Sequence, residues 1–173
     1  MSRIRLVPTL ISFLVAFAVL FGGWNVYRNY GLEHPAEQKL QQIPYVTEAH
    51  VNMKGQKRNV TITLSNHIPD LQTTYHALQQ NVEQTLGNDT TITVVDHRSN
   101  ELIQLYQTFQ PILFEGIHKG NYTEMIQSIQ TTAQHSGVSA KVTMDMNHVY
   151  LQMTKGNNQL DEIIPYTNQQ GVS

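Results

Sequence analysis

Apolar and polar positions change their rhythm several times along this chain, and each change marks an element. From Leu6 to Tyr27 there is no rhythm: twenty-two residues pass without a charge, and Leu10 to Phe21 are almost wholly Leu, Ile, Val, Phe and Ala. As a helix this run reaches about 33 Å, the span of a hydrocarbon core. It predicts a transmembrane anchor, with Leu6, Leu10, Phe13, Phe17 and Leu20 against lipid and Trp24 at the headgroup level. A cleavable signal peptide is the alternative, but the run is long for one and Phe21-Gly22-Gly23-Trp24 offers no small-x-small cleavage site.

Beyond residues 29–35, read as a juxtamembrane linker, the rhythm becomes that of a folded module. Ala36–Ile43 predicts a short helix stopped by Pro44. Ala49, Val51 and Met53 alternate with His50 and Asn52, and Val60, Ile62 and Leu64 with Thr61 and Thr63. That period of two predicts a hairpin turning at Lys54–Lys57. Leu71, Tyr75, Leu78, Val82 and Leu86 recur at helical spacing, with Pro69 suited to the first turn and Gly87 to the stop. Thr90–Val95 reads as a third strand.

The second half has another order. Ser99 is placed to cap a helix carrying Leu102, Leu105, Tyr106, Phe109, Ile112 and Leu113, which Pro111 should kink or divide. Asn121 and Glu124 resemble a capping box before a helix with Met125, Ile129 and Ala133 on one side. Three strands follow, marked by Val138–Met144, Val149–Met153 and Leu160–Ile164. The predicted fold is α+β: an N-terminal transmembrane helix, an αββαβ module and an ααβββ module, each with helices on one face of a small, mostly antiparallel sheet. The boundaries are 1–28 for a cytoplasmic stub and anchor, 29–35 for the linker, 36–97 and 98–165 for the modules, and 166–173 for a disordered tail.

Charge orients this arrangement. Arg3 and Arg5 precede the apolar run, so the positive-inside rule places the N-terminus in the cytoplasm and the modules outside a cell membrane crossed once. Of eleven Lys and Arg, nine remain after those two, against thirteen Asp and Glu. A mildly acidic domain does not suit nucleic acid, which needs a cationic face. There is no cysteine, which excludes disulfides, thiolate catalysis and a lipoprotein anchor.

The stretch Ile43-Pro44-Tyr45-Val46-Thr47-Glu48-Ala49-His50-Val51 resembles the opening of a ring-building motif. Val60–Leu64 is similar to that motif's second strand, Leu71–Gly87 to its second helix, and Thr91-Ile92-Thr93-Val94-Val95-Asp96 to its closing strand. The family includes flagellar MS-ring, injectisome inner-ring and sporulation channel proteins. The resemblance covers about Ala36 to Leu102 and implies a membrane-anchored module that packs beside its neighbours. The chain lacks a lipid-anchor cysteine, a second span and a second motif copy, departures that bear on ring formation more than on the local fold.

Little points to catalysis. Eight histidines are scattered without i,i+4 pairing or an HExxH motif, so no metal is implied. Asp96–His97 and Asp145…His148 lie where turns are expected, which explains both aspartates, and no serine stands in a nucleophile elbow. No cofactor motif occurs. Candidate partner contacts are Thr61 and Thr63 on a polar strand face, and His118 and Asn121 in the polar loop after Glu115, which also reads as a helix C-cap followed by an N-cap. With charged residues at 14% and abundant Gln, Asn and Thr, such a surface makes hydrogen bonds readily and repels its own kind weakly. The expected function is therefore a non-enzymatic, membrane-anchored scaffold or assembly protein of a bacterial envelope. Its partners would be lipid, through the anchor, and a protein or further copies of itself. A ligand-binding domain with its site between the modules is the alternative, and a histidine-using hydrolase ranks third.

Overall fold

The computed structural model describes residues 6–28, 33–54 and 57–165, with side chains at 10, 12–23, 33–53 and 58–165. The expected stub, most of the linker, the Gly55–Gln56 turn and the tail after Pro165 lie outside the described residues. Five helices and two three-stranded sheets are present among them.

The uncharged run forms a helix, α1 (Leu6–Arg28). Leu10, Phe13, Phe17 and Leu20 lie exposed on it, while the side chains of Leu6 and Trp24 lie outside the described set. The expected transmembrane anchor is corrected: among the described residues, no helix is long and apolar enough to cross a membrane. Crossing takes about 20 consecutive, predominantly apolar residues. The single-pass, signal-anchor and cell-membrane assignments that rested on that span are corrected with it.

The first module comprises α2 (His34–Gln41), β1 (Val46–Lys54), β2 (Lys57–Leu64), α3 (Leu71–Leu86) and β3 (Thr90–Val95). Its sheet has the order β1-β2-β3. The β1–β2 hairpin is antiparallel, but β3 lies parallel to β2, in register from Arg58↔Thr90 to Thr63↔Val95. A parallel partner needs a long crossover, which α3 supplies. Ala49, Val51, Val60, Ile62 and Leu64 bury one sheet face beneath Leu40 of α2 and Leu71, Leu78 and Val82 of α3. The outer edge of β1 is covered by α2 and the residue before it: Glu37 accepts the Val51 N–H at 2.9 Å, and Glu33 the Met53 N–H at 3.1 Å. Edge N–H groups already bonded in this way are not open to a further strand.

Asp70 starts α3 as its N-cap, accepting the Thr73 N–H at 2.7 Å, so Pro69 stands just before the helix rather than in its first turn. Lys141 from the second module bonds the other carboxylate oxygen at 2.6 Å. That hydrogen bond first, then the Thr73 N–H, pulls the Asp70 carboxyl down to about 2. A lowered acid stabilises the fold above its unfolded value of 3.8, and this contribution is lost as pH falls through about 2. Asp70→Ala is expected to cost about 1–2 kcal/mol at pH 7, in the range of a lost cap plus a partly exposed ion pair. Urea midpoints should show the gap at pH 7 and its closing near pH 2.

The second module comprises α4 (Asn100–Lys119), α5 (Tyr122–His135), β4 (Ser139–Met144), β5 (His148–Lys155) and β6 (Asn158–Pro165), with sheet order β4-β5-β6 and antiparallel pairing throughout. Ser99 caps α4 at Leu102 N–H. Pro111 does not divide α4, which is one helix. Phe109 and Leu113, on either side of the exposed proline, bury into the same core, and their packing outweighs one missing hydrogen bond. Asn121 makes no side-chain cap on α5 and bonds the Glu124 carboxylate instead.

The expectation of a sheet covered on one face fails here. In β5, residues 149–153 are buried without interruption. Val149, Leu151 and Met153 join the core of α4 and α5, while Tyr150 belongs to the core of the first module. The second sheet is thus sandwiched between its own helices and the first module.

Candidate functional site

Two places gather the polar groups of this fold: the seam between the modules and the open face of the first sheet.

At one end of the seam Asp145 is both a turn residue and a bridge. Its Oδ1 accepts the Asn147 and His148 backbone N–H groups at 2.7 and 2.8 Å. Its Oδ2 accepts the Tyr150 hydroxyl at 2.6 Å and lies 2.7 Å from His76 Nε2 on α3. Burial opposes ionisation, but hydrogen bonds from Tyr150, Asn147, His76 and His148 outweigh it and hold this carboxyl well below the usual range. Tyr75 stacks edge-on against His148 with ring centres 5.7 Å apart. No serine or threonine hydroxyl is bonded to His76 in this cluster, and among the described residues no group of three or more His, Asp or Glu is placed to hold a metal ion.

Further along, glutamines take over. Gln152 donates to Ile68 O at 2.6 Å, and Gln159 Oε1 accepts the His67 N–H at 2.9 Å. His67 is held at φ 71, a left-handed backbone that costs energy outside glycine and is fixed here by that bond. The Gln159 amide then donates to Asp161 Oδ2 at 2.7 Å. Asp161, 3% exposed, donates its backbone N–H to Asp96 Oδ2 at 2.6 Å. Arg98 grips Asp96 with two bonds, at 2.7 and 2.8 Å, and reaches Glu162 at 2.8 Å. His97 contributes only its carbonyl, to the Gln159 N–H. Among the described residues, Asp161 Oδ1 has no partner.

Beyond these bonds, β3 and β6, each an edge strand of its sheet, contribute to a cleft of about 350 Å³ lined by Tyr75, Thr93, Arg98, His148, Asp161 and Glu162 among others. Of this site the sequence singled out Asp96–His97 and Asp145…His148, as turn residues; Gln152 and Asp161 stand at polar positions of their predicted strands, and Gln159 lies just outside the third.

The second gathering is the sheet face turned away from α2 and α3. Strand register sets it in three cross-strand rows: Asn52, Asn59 and Thr91; His50, Thr61 and Thr93; Glu48, Thr63 and Val95. All are exposed or half-buried. Glu48 is the one carboxylate among these nine residues, and every other position but Val95 carries a neutral hydrogen-bonding group or an imidazole. The structure brings Thr61 and Thr63 together here with Thr91 and Thr93. It leaves His118 and Asn121 apart, exposed where α4 meets α5 in the other module.

No protein-family model matches the chain, and neither does any curated protein or solved structure.

Proposed function

We propose that this chain is a non-enzymatic assembly protein that associates with further copies of itself through the open threonine face of its first module. The observation that carries the reading is the asymmetry of that sheet. One face is buried under two helices and the β1 edge is capped by carboxylates, while the other face presents nine weakly charged positions. The likeness of the Ile43–Asp96 pattern to ring-building motifs supports it, as does the αββαβ order.

Nine residues are few beside the roughly 20–30 per side of a standard interface, which places the association in the weak class. Sedimentation of the whole chain from micromolar to millimolar concentration should show the mass rising. In the Thr61→Arg, Thr93→Arg variant it should stay at the monomer value with an unchanged melting temperature. A wild type that is monomeric throughout, or a variant that associates equally, overturns the proposal. A binding site in the β3–β6 cleft is the second reading, favoured by the cleft's volume and its polar lining.

A further inference from the structure

We propose that the two modules are latched by a proton on Asp161: they dock tightly while this side chain is neutral and loosen where it ionises.

The geometry places two buried carboxylates across a module boundary. Asp96, whose side chain is 2% exposed, ends β3 of the first module, and Asp161 lies in β6 of the second. A single guanidinium, Arg98, serves them, and its bonds go to Asp96 and Glu162 rather than to Asp161. Among the described residues, Asp161 receives one side-chain hydrogen bond, from Gln159 to Oδ2, while Oδ1 is enclosed without a donor. A buried carboxylate left half-satisfied is costly, and the neutral acid relieves that cost.

The neighbours point the same way. Along its own strand Asp161 shares a face with Gln159 and adjoins Glu162, and from β5 it pairs with Gln152. The end of β3 brings Asp96, His97 and Arg98, and Tyr75 and His148 line the adjoining cleft. Tyr106 of α4 feels Glu162 and Arg98. Burial pushes the Asp161 carboxyl up to about 7; Asp96 and Glu162 add to the rise, and Gln159 and Arg98 oppose it. Separating the modules returns the group toward 3.8, so the proton favours docking. The latch is complete below pH 4 and is lost as pH rises to about 7. A shift of this size weakens docking by roughly two to three powers of ten across that window.

Amide hydrogen exchange on the full chain, expressed as protection factors so that the intrinsic pH dependence is removed, tests this directly. Between pH 5 and pH 8 the amides of His67, Gln159 and Asp161 should lose about a hundredfold or more of protection, while central β2 amides keep theirs. In Asp161→Asn the seam amides should show equal protection at both pH values. Carbon-13 titration of the Asp161 carboxyl should give a midpoint near 7 in wild type and a lower one in Asp96→Asn, a readout that stands even if Asp161→Asn does not fold. A wild-type midpoint near 4, seam protection independent of pH, or an Asp161→Asn chain with the full wild-type loss would each overturn the latch.

Discussion

Val60→Asp is expected to unfold the first module, while Thr61→Asp, one residue along the same strand, leaves it folded. Val60 is fully buried on the sheet face beneath α2 and α3, where every close neighbour in the cluster is apolar. The substitution forfeits about 1.5–3 kcal/mol of apolar burial and sets a carboxyl where nothing can bond it, at a further cost of several kcal/mol. Together these approach the whole stability of a small domain, about 5–15 kcal/mol. Thr61 points to the opposite face, beside His50 and Thr93, where a carboxylate keeps its water. Its cost should stay below about 1 kcal/mol, as for most surface changes. Far-ultraviolet circular dichroism with urea titration separates the two outcomes: no cooperative transition attributable to the first module in Val60→Asp, and a near-wild-type midpoint in Thr61→Asp.

Gly116→Ala should destabilise the second module by about 1–3 kcal/mol, the usual cost of overpacking, although the same change in an open helix gains up to about 1 kcal/mol. Packing decides the sign. Gly116 is buried where α4 crosses α5, and an added Cβ would stand 2.6 Å from Met125 Cβ and 2.7 Å from its Cγ and Sδ. The far end of a methionine can swing aside, but Met125 Cβ is fixed to the α5 backbone, so the helices must separate. Gly23→Ala in α1, where the new methyl would meet nothing within 4 Å, is the control and should not lower the urea midpoint.

The first module was legible in the sequence because its sheet has one dry face and one wet one. Val60, Ile62 and Leu64 alternate with Thr61 and Thr63, and the helix from Leu71 to Leu86 has an aspartate before it and a glycine after it. The parallel placement of β3 was not legible, since alternation does not report strand direction. The second sheet defeated the same logic. Gln152 and Gln159 take the positions of a solvent face, yet they are buried because their partners Ile68 and His67 lie 84 and 92 residues away. Sequence periodicity sees a polar residue, not the distant backbone group that satisfies it. Of the four candidate contacts, Thr61 and Thr63 fell on one face because strand period alone sets facing. His118 and Asn121 came from punctuation around Gly120, which marks a helix end and says nothing of what lies near it.

Because the chain has no cysteine, a single introduced thiol reports on one position alone. The alkylation rate of Thr93→Cys, on the open face, can be followed as protein concentration rises from micromolar to millimolar, with His118→Cys as reference. If copies associate through the threonine face, the rate at position 93 falls with concentration while that at position 118 stays constant. Constant rates at both positions, or a fall at 118 alone, would contradict it.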